Sequence, residues 1–198
     1  MSEKARVTLA GRPGPIGRHI AGHLTTRGWQ VLDAAGPGAG PLAGLIFDAG
    51  LLDGEPRPWS EVIPAFQSTL REQLPLFADQ AGGGARVVVL GSRDWLGAPG
   101  HSEQASVAGA LVSAVRSLAL ELGRQAVTVN LVVGMPEREP SGAVSGTAAN
   151  ARALLPWPVS GDDVAAAVEF FLDRRSSYIT GQVLYCCAGA SLLSSLSA

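Results

Sequence analysis

The side chains able to do chemistry are few and scattered. Ser92, Asp94 and His101 fall within one stretch, "GSRDWLGAPGH", and together suggest the nucleophile, acid and base of a hydrolase. Ser92 lacks the Gly-x-Ser-x-Gly elbow that exposes such a nucleophile, and trios of this kind arise wherever serines and a loop histidine coexist. His19 and His23 stand four apart, which puts two imidazoles on one helical face as a metal pair requires. No third ligand accompanies them in the sequence, so two partly exposed helix histidines are the simpler reading and no metal is expected. The cysteines Cys186 and Cys187 are neighbours, useless as a cross-link and unmatched to any spaced metal pattern.

These residues sit in a chain of 198 residues with a net charge of −2, a length that suits one domain spanning 1–198. No block of lysine and arginine offers a footprint for nucleic acid or an anionic membrane, and neither partner is expected. The opening "MSEKARVTLAG" lacks the basic start and apolar run of a signal peptide, and no stretch approaches 18 consecutive apolar residues. A cytoplasmic location is the expectation.

Strands and helices alternate. "RVTLA" ends at a glycine and is followed by a helix in which Ile16, Ile20 and Leu24 repeat, with Gly28 as its stop. "WQVLDAA" and Leu42 to Asp48 read as strands. Ser60 to Ala81 reads as a helix kinked or broken at Pro64 or Pro75. Ala85 to Ser92 has the β-branched composition of a strand buried on both faces. Val107, Leu111, Val115, Leu118 and Leu122 mark a long helix, followed by the strand "AVTVNLVV". The stretch from Pro136 is rich in turn residues and reads as loop. Ser160 caps a helix with acids in its first turn, and "YITGQVLYCCAG" is the last strand. The pattern predicts an α/β sandwich with a mostly parallel sheet and right-handed crossovers.

"RSLALELGRQAVTVNLV" and "GDDVAAAVEFFLDRRSSYITGQVLY" resemble segments of the short-chain dehydrogenase/reductase family, and the resemblance extends over nearly the whole chain. It implies a Rossmann-like, doubly wound sheet with helices on both faces. These are scaffold segments and speak for fold more than for chemistry.

The family's cofactor turn, Thr-Gly-x-x-x-Gly-x-Gly, corresponds here to Ala10, Gly11, Pro15 and Gly17. Pro15 removes a backbone N–H and brings a ring where the middle glycine leaves room, with Gly14 beside it as partial compensation. A glycine/proline turn with proline at the start of a helix is also ordinary capping chemistry. The acidic residue that holds the adenosine ribose in similar proteins falls at Ala35, with Asp33 two positions early. "AAGPGAGP" then leads straight into the strand ending in "DAG", which resembles the family's Asn-Asn-Ala-Gly and contains Asp48. A crossover with its own helix needs a dozen residues or more. A strand-helix unit after the second strand is therefore missing, leaving a sheet face expected to be uncovered and a possible binding surface. Eight extended residues span roughly 26 Å, enough to return along the sheet.

The family's catalytic asparagine, serine, tyrosine and lysine map to Phe66, to Gly91 or Ser92, to Gln104 and to Ala108. The Pro-Gly near the nicotinamide reads Gly134-Met135. Only the serine remains, and a serine alone has no suitable pKa for proton transfer. The expectation is a catalytically degenerate subunit with no catalytic residues, vestigial cofactor positions at Gly11, Gly14, Gly17, Asp33 and Asp48, and no cofactor of its own.

In similar proteins the long helix, Ser102 to Leu122, and the helix before it form a four-helix contact between subunits. Here that helix carries the small residues Gly109, Ala110, Ser113, Ala114 and Ser117. The C-terminal strand and the tail "ASLLSSLSA" fit a second family contact. The resemblance implies an active, NAD-bearing paralogue as partner in a heterotetramer, of the hydroxyacyl-CoA dehydrogenase kind in which one subunit is inactive. Two other readings stand beside it: a sensor that binds NAD(P)H or a small ligand, and an unconventional reductase or hydrolase using Ser92 and His101.

Overall fold

The computed structural model describes residues 5–33, 40–52, 58–79, 83–134, 154–156 and 159–193. Six strands, β1 (Arg6–Gly11), β2 (Gln30–Leu32), β3 (Gly44–Asp48), β4 (Ala85–Ser92), β5 (Val127–Gly134) and β6 (Val183–Tyr185), form one parallel sheet in the order β2-β1-β3-β4-β5-β6. The β-branched runs of β4 and β5 are buried at every position, as a central parallel strand covered on both faces must be.

Helices α1 (Pro15–Thr26) and α4 (Gly161–Leu172) cover one face, burying Ile20, Leu24, Val164 and Val168 with Ile46, Val88 and Leu90. Helices α2 (Trp59–Gln73) and α3 (Ser102–Leu122) cover the other, where Phe66, Leu70, Leu111 and Val115 meet Leu45, Phe47 and Val89. A short helix, α5 (Ala190–Leu193), follows β6. Ser160 and Asp163 form a reciprocal capping box at the start of α4, matching the expected cap.

Two boundaries differ from the sequence reading. α2 runs unbroken through Pro64, its sixth residue, and forgoes there one backbone hydrogen bond to Ser60. It ends at Gln73, where Pro75 forces a 3-10 turn. The last strand shrinks to three residues, Val183–Tyr185, between positive-φ turns at Gly181 and Ala188.

β1 lies between β2 and β3, so β2 is the sheet edge and no strand-helix unit follows it among the described residues. Part of the face left by that deletion, the part over β1, is covered among the described residues. The segment after α2 doubles back: Leu42 donates its N–H to Leu76 O at 2.8 Å, and Ala78 donates to Leu42 O at 2.9 Å. Phe77 thereby pairs with Leu42 in a parallel bridge, and Leu42 is fully buried. On β1, Thr8 Oγ1 donates to Gln73 Oε1 at 3.1 Å, both buried. This strap and α2 cover β1, while on the edge strand Gln30 stays exposed and Leu32 half-buried. Residues 34–39, including the position matched to the ribose acid at Ala35, lie outside the described residues, as do Met135, the loop from Pro136 to Arg152 and the tail from Ser194.

Candidate functional site

In a parallel sheet of this order, ligands bind beyond the carboxyl ends of the strands where the strand order reverses, here between β1 and β3. Gly11 closes β1 with φ +92°, and a β-carbon on it would run into the carbonyl oxygen of Asp48. The next residue, Arg12, donates its N–H to that same oxygen at 3.0 Å. Gly14 is the extended N-cap of α1 and makes no side-chain cap; Pro15 is the first helical residue. Gly17 faces the Asp48 carboxylate so closely that a β-carbon would collide with Oδ2. Asp48 is 2% exposed, and its Oδ1 accepts the Gly50 N–H at 2.8 Å. The glycines are therefore needed by the chain's own packing against Asp48. A shallow depression of about 190 Å³ remains, lined by Gly11, Arg12, Phe47, Asp48, Val62 and Thr69. Asp33, just past β2, is exposed.

At the neighbouring strand ends the matched catalytic positions carry no acid or base. Phe66 is fully buried, its ring 5.0 Å from that of Phe47 and tilted by 43°. Ser92 ends β4, buried, with Oγ accepting the Asp94 N–H at 3.1 Å as a local turn cap. Gln104 is half-buried in the first turn of α3. Ala108, one turn on, is 1% exposed and belongs to the apolar cluster that includes Phe66 and Val107. His101 is the residue before α3, and no hydrogen bond joins it to Ser92 among the described residues.

Two residues the sequence reading passed over fill this end of the sheet. Leu51 and Leu52 directly follow "DAG", and both are buried, one in each of the two cores. Leu52 leans over the end of β5, so a β-carbon at Gly134 would lie 3.0 Å from Leu52 Cδ2. The signal was two adjacent leucines after a glycine, where a solvent-facing turn would be polar.

The remaining candidates lie elsewhere. His19 Nε2 is 2.9 Å from Asp162 Oδ1, and His23 faces both Asp162 at 3.7 Å and Glu169 at 3.3 Å. Both histidines thus join α1 to α4, and no set of three or more possible ligands is arranged for a metal among the described residues. The Asp162 carboxyl is held below its ordinary pKa, chiefly by the hydrogen bond from His19. Tyr185 stacks on Trp95, ring centres 6.3 Å apart, and burial raises its phenol pKa. Tyr178 is fully exposed. Burial pushes the Cys186 thiol up to about 11, and Cys187 is buried with Sγ 3.4 Å from Ser191 Oγ.

α3 is long and apolar enough to cross a membrane by composition alone, yet Val107, Leu111, Val115 and Leu122 face the sheet and α2. Its outer side exposes Ser113, Ser117 and Leu120, with Gly109, Ala110 and Ala114 half-buried. A groove of about 410 Å³ runs between α2 and α3, lined by Leu70, Leu74, Ala114 and Leu118, with Arg71 and Glu121 also bordering it.

Comparison with known proteins matches this architecture. The chain is 36% identical to (2S)-[(R)-hydroxy(phenyl)methyl]succinyl-CoA dehydrogenase subunit BbsD of Thauera aromatica, over 54% of this chain and 45% of that one. It is 35% identical to subunit BbsC of the same enzyme and organism, over 58% of this chain and 47% of that one. The chain thus matches about half the length of these curated relatives. Among solved structures, a short-chain type dehydrogenase/reductase from Mycobacterium ulcerans superposes with a TM-score of 0.75 at 17% identity, covering 98% of this chain and 94% of that one. ElxO with NADP bound superposes with a TM-score of 0.78 at 14% identity, covering 95% and 99%. These two likenesses speak for the fold alone. A family model described as Enoyl-(Acyl carrier protein) reductase matches residues 62–191, from α2 to the start of α5, and with it the chain belongs to the short-chain dehydrogenase/reductase family.

Proposed function

We propose that this chain is a non-catalytic subunit that assembles with an active NAD-dependent paralogue in a dehydrogenase of the hydroxyacyl-CoA type. The carrying observation is the closed strand end: Leu52 lies against Gly134 where a nicotinamide would need space, and the lysine position, Ala108, is core. An oxyanion forming there would meet no acid, and general acid-base help alone is worth a factor of about 10² to 10⁴.

The cofactor turn supports the same reading. The residues present do not fit a dinucleotide: Asp48 brings a carboxylate against Gly17, Pro15 withholds a donor, and the depression beside Arg12 is shallow. NAD is then held by the partner, and this chain supports the complex or shapes its substrate pocket. The outer faces of α2 and α3, Ser102 to Leu122 in the latter, and the C-terminal strand and tail would make the contacts of a heterotetramer in the cytoplasm. Support for a multi-subunit setting comes from the two relatives, both named as subunits of one dehydrogenase.

The test is the native particle. Tagged in its host and isolated gently, the chain should come with a stoichiometric second reductase-like chain that carries Tyr-x-x-x-Lys. A homo-oligomer without companion would sink the proposal. The depression at Gly11 and Arg12 would then favour a second reading, a small-ligand sensor, and titration with NAD(P)H would decide it.

A further inference from the structure

At the amino end of the sheet, opposite the closed cleft, the protein buries a guanidinium and a hydroxyl that are only partly satisfied. Arg86, the second residue of β4, is 3% exposed. Its Nη1 and Nη2 donate to the carbonyls of Ala85 and Gly83 at 3.0 and 3.1 Å, while Nε has no hydrogen-bond partner. Directly across the ladder, Arg86 pairs in register with Thr128 of β5. Thr128 is 7% exposed, and its Oγ1 is likewise buried without a partner. Side chains at register-paired positions project to the same face, so Arg86 and Thr128 stand side by side on it.

A second guanidinium completes the constellation. Arg174, in the turn after α4, lies 2.8 Å by its Cζ from where a β-carbon of Gly83 would be, and Gly83 itself has φ +93°. Burial, and after it the Arg174 charge, lowers the Arg86 pKa. Among the described residues neither arginine pairs with a carboxylate, whereas Arg175 is held by Asp173. Orphaned buried groups in a native fold call for an explanation, and an ion is one. Two cations and a hydroxyl beside glycines of positive φ match the donor set that phosphate groups take.

We propose that Arg86, Thr128 and Arg174 form a receptor for a small oxyanion of the phosphate or phosphate-monoester class. This does not depend on the subunit reading. The probe is inorganic phosphate added to the full chain, with sodium chloride at equal ionic strength as reference. At about ten times the dissociation constant, phosphate should raise the melting temperature by about 3 °C. The rise should persist in Arg175→Gln and vanish in Arg174→Gln. Thr128→Val, close in shape, should weaken it. Methyl phosphate separates the sources: an equal or larger rise assigns a monoester, a smaller one the free ion. No phosphate-specific rise in the wild type, or an unchanged rise in Arg174→Gln, would overturn the proposal and leave a buried water between Arg86 and Thr128.

Discussion

Leu52 rests on the α-carbon of Gly134, its Cδ2 3.0 Å from the place a β-carbon would occupy. The contact ties the segment after β3 to the end of β5 across β4. Truncating Leu52, 2% exposed, to alanine should cost about 2–4 kcal/mol of stability, measured by urea unfolding, because the cavity lies between packed strand ends. The same variant should show no gain in NAD(P)H fluorescence. A gain would mean that Leu52 alone keeps the cofactor out.

Restoring the family's pair should not restore its chemistry. Gln104→Tyr with Ala108→Lys is expected to give no NAD-dependent turnover by absorbance at 340 nm. Ala108→Lys by itself should lower stability by about 3 kcal/mol or more, since it drives an ammonium into the cluster around Phe66. A stable, active double variant would show that the strand end opens readily.

Gly11→Ala and Gly17→Ala probe what the glycine turn is for. Both β-carbons strike Asp48, one at its carbonyl and one at its carboxylate, and Gly11 also has φ +92°. Each should destabilise the ligand-free protein by about 2–4 kcal/mol. A pair of neutral variants would return the glycines to a ligand-binding role.

Acid sensitivity follows from the carboxyls. Asp173 is held at about 2, mainly by the hydrogen bond from the Arg175 side chain, against 3.8 for an ordinary aspartate. A depressed carboxyl stabilises the fold above its unfolded pKa, and that contribution is lost as pH falls through the folded value. Melting temperature should therefore drop more steeply between pH 3.8 and about 2 in the wild type than in Asp173→Asn. Parallel curves would show that the Asp173–Arg175 pair is idle.

Cys186 should resist alkylation at neutral pH. With its thiol at about 11 because of burial, the reactive thiolate is scarce, and iodoacetamide labelling followed by mass spectrometry should accelerate only in strong base. Fast labelling at pH 7 would contradict the burial.

Much of this was readable from local signals. Apolar runs between glycines fixed the strands, the repeat of Ile16, Ile20 and Leu24 fixed α1, and Ser160 with Asp163 marked the start of α4. The side chains at Phe66, Gln104 and Ala108 are also plain in the sequence, and the burial of Phe66 and Ala108 in one apolar cluster fits their types. What escaped was tertiary. His19 and His23 gave no hint of Asp162 and Glu169, which lie on a helix far along the chain. The pairing of Leu42 with Phe77 has no periodicity to betray it, and so the sheet face looked bare. Leu51 and Leu52 were passed over because nothing local tells that they are buried in two separate cores.

The strap at Leu42 has a consequence for how the protein comes apart. Because Ala78 and Leu76 bond to the same residue that leads into β3, the stretch from Leu42 to Ala78 starts and finishes at one place. It is a loop of chain clasped by two hydrogen bonds at Leu42, and the cost of closing such a loop rises only slowly with its length. A stretch of this kind opens as a unit, so the amides of Leu42 and Ala78 should exchange with solvent together, whatever happens at the sheet's free edge beside β2.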